Sequence, residues 1–108
     1  MDNSAIIGIR DENLFYSALN QPKATFDGNF LYKNIFEMAT VYLMGFVLDH
    51  PFVDGNKRVG LKTCLIFLKI NGYKLLLSND EAINLTLGCA NKILKKEQIL
   101  KIIKDNTA

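Results

Sequence analysis

Nine consecutive residues, His50-Pro51-Phe52-Val53-Asp54-Gly55-Asn56-Lys57-Arg58, gather the only histidine of the chain, a carboxylate, a glycine, an amide and two cations. An imidazole titrates near neutral pH and can take a proton from a hydroxyl nucleophile, which makes His50 a candidate base. Its bland alternative is a residue that only caps or packs at a helix end. Asp54 is either the N-cap of the following helix or a Mg²⁺ ligand, since magnesium typically takes one or two protein carboxylates and fills its shell with water and phosphate oxygens. Gly55 lets the backbone come close to an anion. Asn56 could cap the helix or hydrogen-bond a phosphate. Lys57 and Arg58 are either solvated surface charges or phosphate ligands, Arg58 bidentate and Lys57 a point charge. Phe52, between polar residues, reads as an anchor for the loop. A base, a metal carboxylate, an anion nest and two cations suit transfer of a phosphorus-containing group onto a hydroxyl, where positioning and charge neutralisation do most of the work.

The elements that hold this stretch follow from local signals. An apolar run, Val59 to Ile70, comes directly after it. The first N–H groups of a helix lack internal partners and its N-terminus carries partial positive charge, so a polar turn opening into an apolar helix is an anion site. Cations there oppose the helix dipole and make sense if an anion arrives. This helix is expected over about Gly55 to Asn71, apolar nearly all round and therefore central and buried, with Gly72 closing it in left-handed geometry. Upstream, Ile35, Met38, Ala39, Tyr42, Leu43, Phe46 and Val47 recur at steps of three and four, predicting a helix from about Leu31 to Asp49 that Pro51 ends. Asp11 caps an earlier helix that stops near Pro22, and residues 22–30 read as a loop. Tyr73 to Leu77 is one short extended segment. Ser78 and Glu81 form a capping box for a fourth helix reaching about Asn91, and Lys95 to Asp105 is the fifth. The expected fold is an all-α bundle of about five helices forming one domain over residues 1–108.

Composition narrows the function classes. The chain has 108 residues, 49% hydrophobic and 22% charged, which suits one small globular core. A net charge of +2 is too small to argue for nucleic acid by itself. The apolar stretches are interrupted by Lys62, Lys69 and Asn71, so no transmembrane helix or membrane association is expected, and Met1 to Ala5 lack the basic start of a signal peptide. Cys64 and Cys89 sit in apolar segments without a C-x-x-C spacing and read as buried free thiols. A cytoplasmic location fits these features. No Walker A loop or protein-kinase signature set is present. The lysines of the C-terminal stretch, Lys92, Lys95, Lys96, Lys101 and Lys104, read as a solvated helix face rather than a DNA surface.

The run from His50 to Arg58 resembles the signature of the Fic/Doc family, H-x-F-x-[DE]-[GA]-N-x-R. Lysine at position 57 and leucine at position 61 resemble the Doc (death-on-curing) toxin branch; AMP-transferring Fic proteins usually carry glycine and a second arginine there. Gly8 to Leu14, Pro22 to Phe26 and Phe67 to Tyr73 are similar to further blocks of the family, so the likeness spans nearly the whole chain from about Gly8. It implies His50 as catalytic residue, Asp54 as Mg²⁺ ligand, and Gly55, Asn56, Lys57 and Arg58 around the phosphates of ATP. The loop around Lys23 to Phe26 resembles the flap that positions a target segment. Doc-type toxins transfer the γ-phosphate of ATP to a threonine of elongation factor Tu and stop translation. In that branch the lysine fills the space where AMP-transferases hold the α-phosphate, so the nucleotide lies reversed. The alternatives are a Fic-type transferase of AMP or another nucleotide moiety, and a non-catalytic component of a repressor complex. Relatives usually carry one more helix ahead of the block that begins here at Gly8; either this chain is short at that end or a second chain supplies the packing. No [ST]-x-x-x-E-[GN] self-inhibitory pattern occurs, so inhibition is expected in trans from a cognate antitoxin, with nucleic acid reached only through that complex.

Overall fold

The structure is a computed structural model that describes residues 10–23, 25–26, 29–30, 34–49 and 55–108. Within these, five helices follow in order: α1 Glu12–Asn20, α2 Ile35–Asp49, α3 Asn56–Ile70, α4 Asn79–Ala90 and α5 Lys96–Asp105. A 3₁₀ turn, Gln21–Lys23, follows α1, and a minimal antiparallel hairpin, β1 Thr25–Phe26 with β2 Asn29–Phe30, precedes α2. The all-α expectation holds, with the stretch read as a loop folding in part into this hairpin.

Local chemistry sets most of the ends. Asp11 Oδ1 accepts from the Leu14 N–H at 3.1 Å and caps α1. At α4 the capping box is complete. Ser78 Oγ accepts from the Glu81 N–H at 3.1 Å, and Glu81 Oε1 accepts from the Ser78 N–H at 2.9 Å. Those bonds hold the Glu81 carboxyl below its ordinary range. Helix α2 starts later than its apolar pattern suggests. Asn34 Oδ1 accepts from the Glu37 N–H at 2.7 Å, so Asn34 stands outside the helix as its cap. Residues 31–33 lie outside the described set. At the end of α3, Gly72 adopts φ +89°, the left-handed closure expected of it. The extended segment beyond it pairs with the C-terminal residues: the Lys74 N–H donates to the Ala108 carbonyl at 2.9 Å and the Leu76 N–H to Asn106 at 2.8 Å.

One expectation is corrected. The central, buried helix is α2 rather than α3. Helix α2 touches each of the other helices and buries Ala39, Thr40, Val41, Tyr42, Leu43, Phe46 and Val47. On α3 only Gly60, Cys64 and Leu68 are buried, and they form a single stripe at four-residue spacing. Apolar content all round the helix suggested neighbours all round it, but the fold supplies α2 on one side and a limited contact with α4. Ile66 and Ile70 are left 60% and 75% exposed.

The main core joins Ala39, Leu43 and Val47 of α2 to Cys64 and Leu68 of α3, Leu85 and Cys89 of α4, and Ile99 and Ile103 of α5. A second cluster, Ala18, Tyr42 and Phe46 with Phe15 and Val59 against it, fastens α1 across α2. The cysteines are buried and free, as expected. Burial pushes their thiols up, Cys64 to about 12 and Cys89 to about 11. Among the described residues no helix is long and apolar enough to cross a membrane.

Candidate active site

The described half of the signature stands at the N-terminus of α3. The cap position falls on Gly55, at φ +79° and ψ 15°, a left-handed conformation that costs glycine little and other residues more. Glycine offers no side chain to cap the helix, and none of its atoms blocks the approach of a ligand. Asn56 is the first helical residue, so its reading as a cap is excluded. His50 and Asp54 themselves lie outside the described residues, as do Pro51 to Val53.

Lys57 and Arg58 are both exposed and line one cavity of about 360 Å³. Leu61 completes the α3 wall, while Asn79, Ala82, Ile83 and Thr86 of α4 form the other. The cavity therefore offers two cations at a helix start, a side-chain amide, and an apolar wall. Two effects act together on an anion arriving there: the partial positive charge of the helix end and the full charges of Lys57 and Arg58. Gly55, Asn56, Lys57 and Arg58 are thus brought together on one turn, as the spacing implied.

Two positioning features were not singled out from sequence. The first is Gly60. A Cβ there would sit 2.9 Å from Val47 Cγ2 and 3.1 Å from the Leu43 carbonyl oxygen. Glycine at this position lets α3 lie close against α2 just one turn after Asn56, Lys57 and Arg58, and so fixes where that turn points. The signal was a small residue in line with Cys64 and Leu68, visible once the buried stripe is known. The second is Arg10, whose Nη2 donates to the Asp49 carbonyl at 3.2 Å. The last carbonyls of a helix lack internal partners and favour positive charge. Arg10 thus ties the chain ahead of α1 to the end of α2, immediately before His50. The two residues are 39 apart, and no local pattern announces the pair.

Of the C-terminal lysines, Lys96 pairs with Glu37 at 3.4 Å and Lys101 with Asp105 at 2.6 Å. The Lys101–Asp105 pair lies on solvated helix surface, in agreement with the plain reading of that stretch, whereas Lys96–Glu37 is partly buried and ties α5 to α2. The flap-like stretch coincides with the start of the hairpin, where Thr25 pairs with Phe30 and Phe26 with Asn29.

A helical bundle with this signature at a helix start defines a recognised class. The family model described as Fic/DOC family matches residues 3–68, and the chain belongs to that family. It is 36% identical over 67 residues to "Toxin Doc" of Mycolicibacterium smegmatis, covering 62% of this chain and 52% of that protein. It is 37% identical over 57 residues to "Protein kinase doc" of Escherichia phage P1, covering 53% of this chain and 44% of that protein. The chain therefore spans about half the length of these curated relatives.

Proposed function

We propose that the protein is a Doc-like toxin that transfers the γ-phosphate of ATP to a hydroxyl of a protein target, a threonine of elongation factor Tu being the expected acceptor, and so inhibits translation. The observation that carries this reading is the start of α3. A left-handed glycine cap is followed at once by Asn56, Lys57 and Arg58, with both cations lining the same cavity. The likeness to proteins named toxin and protein kinase supports the same chemistry.

In this reading His50 accepts the proton of the target hydroxyl as its oxygen attacks the γ-phosphorus. The bond from that phosphorus to the bridging oxygen breaks, and ADP leaves. Asn56, Lys57 and Arg58 hold the phosphate oxygens, Arg58 with its forked donors. Asp54 is the side chain suited to Mg²⁺, which when bound would neutralise phosphate charge. Lys57 is what sets phosphate transfer apart from AMP transfer: a glycine would leave an open nest for the α-phosphate, and a lysine fills it. A cognate antitoxin is the partner expected to hold the toxin inactive, and the cytoplasm is where its target would be met.

The test uses the purified protein, a bacterial lysate and ATP labelled at either the α or the γ position. Label entering protein from the γ position supports the kinase reading, and label entering only from the α position makes the protein an AMP-transferase. Expression of His50→Ala in a growing host separates enzyme from binding component: growth should continue, and arrest equal to that caused by the unmutated protein would exclude catalysis as the cause.

A further inference from the structure

We propose that residues 106–108 are a strap that positions one wall of the cavity at Lys57 and Arg58. The inference rests on the reading of that cavity as the phosphate site. The wall in question is the start of α4, which presents Asn79, Ala82 and Ile83 across from Lys57, Arg58 and Leu61. This start has little of its own to hold it. Across residues 79–84 nothing is buried, and the first buried side chains of α4 are Leu85 and Thr86. A helix held by tertiary packing only from its second turn onward keeps its tip in place only if the chain leading into it is fixed.

That chain is fixed from the far end of the sequence. The Lys74 N–H donates to the Ala108 carbonyl and the Ala108 N–H donates back to the Lys74 carbonyl, each at 2.9 Å, while the Leu76 N–H donates to the Asn106 carbonyl at 2.8 Å. Between these bonds Leu75, part of the main core, stands opposite Thr107. The strap is anchored in turn. Asn106 Nδ2 donates to the Ile102 carbonyl at 2.7 Å and Thr107 Oγ1 to the Lys104 carbonyl at 3.1 Å, closing the end of α5, which Ile99 and Ile103 hold in the core. Two residues beyond Leu76, Ser78 caps α4. The path from core to wall therefore runs from α5 through residues 106–108 and 74–76 to Ser78 and Asn79. Helix α3 is held separately, against α2 at Gly60, so the strap sets how far Asn79 and Ile83 stand from the two cations. None of the three strap residues lines the cavity; they act through the wall. Losing them removes binding common to the ground and transition states and leaves the reacting groups in place, so affinity for ATP falls while the rate at saturation holds.

The test compares the full chain with a deletion of residues 106–108 and with Ala108→Pro, which removes one strap donor at an exposed position. Ala108→Ser keeps the donor and should follow the parent. Hydrogen exchange read by mass spectrometry is expected to speed up about tenfold or more over residues 74–84 in both variants, and to stay within about twofold over residues 85–90. The dissociation constant for ATP, read by calorimetry, and KM for ATP in the γ-label assay should both rise about five- to tenfold, with kcat within about twofold of the parent. Should the deletion unfold, Ala108→Pro decides. The exchange measurement involves no nucleotide: a parent protein that neither binds nor uses ATP would refute the phosphotransfer reading and leave the strap to be judged by exchange. Unchanged exchange over residues 74–84, faster exchange with unchanged ATP affinity, a fall in kcat with KM unchanged, or loss of helix in Ala108→Pro by circular dichroism would each overturn the proposal.

Discussion

Helices α2 and α3 are equal in length, adjacent in sequence and packed on each other, yet they do different jobs. Each has fifteen residues. Between Ile35 and Asp49 the only charged side chains are Glu37 and Asp49, one near each end; seven of the fifteen residues are buried and none is exposed. Helix α3 begins with two cations, carries two more along its length, and commits only Gly60, Cys64 and Leu68 to the interior. One helix is scaffold. The other is pinned by a narrow stripe and leaves its first cations and its outer face in solvent. A site that must bind a polyanion needs such a helix, because cations cannot be buried without partners and a helix start buried against a neighbour cannot receive phosphate.

Substitutions can break this contrast. Leu43→Ala, at the centre of the main core, should cost about 2–5 kcal/mol in urea unfolding. Arg58→Ala should slow phosphotransfer about a hundredfold while leaving the unfolding midpoint within about 0.5 kcal/mol of the parent. Equal losses of stability and activity would mean that α3 is scaffold too. Gly60→Val falls between these, with an overpacking cost of about 1–3 kcal/mol, and it should lower activity by moving the start of α3 away from α2. The same loss of activity without loss of stability would show that the close approach is not what positions the turn. Ile66→Ala should change stability by no more than about 0.5 kcal/mol, because the side chain is mostly in water.

A pH effect sharpens the contrast from the side of the core. Burial raises the thiols of Cys64 to about 12 and Cys89 to about 11, and raises the Tyr42 hydroxyl as well. The unfolded chain loses these protons first. Stability from them is whole below about pH 8.5, the ordinary thiol value, and is lost as pH climbs through the folded values. Urea midpoints should therefore fall between about pH 8.5 and 11, and thiol reagents should modify the folded protein slowly at pH 8.

The sequence made legible whatever local chemistry decides. Asp11 and the Ser78–Glu81 pair name their helices' starts, and Gly72 closes α3, because each acts on backbone groups within four residues. Asn34 was passed over, since the apolar residues before it continue the helical pattern and a cap interrupts that pattern with only one side chain. The pairing of β1 with β2 left no signal of its own, because two-residue strands are too short for an alternation to register. The exchange of roles between α2 and α3 was illegible in principle. Both sequences are apolar on most sides, and whether a neighbour covers a face is decided by the packing of the whole chain. For the site, the signature gave Gly55, Asn56, Lys57 and Arg58 their place on one turn. Arg10 and Gly60, which position that turn and the end of α2, act through contacts with residues far away or on the facing helix.

The central claim is that this helix start serves transfer of a single phosphoryl group. The most direct measurement is the mass added to the protein target after incubation with this protein, Mg²⁺ and ATP, read by tandem mass spectrometry on the modified peptide. The account predicts one phosphoryl group on a threonine or serine hydroxyl, absent when His50→Ala replaces the parent protein. Addition of a whole AMP moiety at that hydroxyl would contradict it.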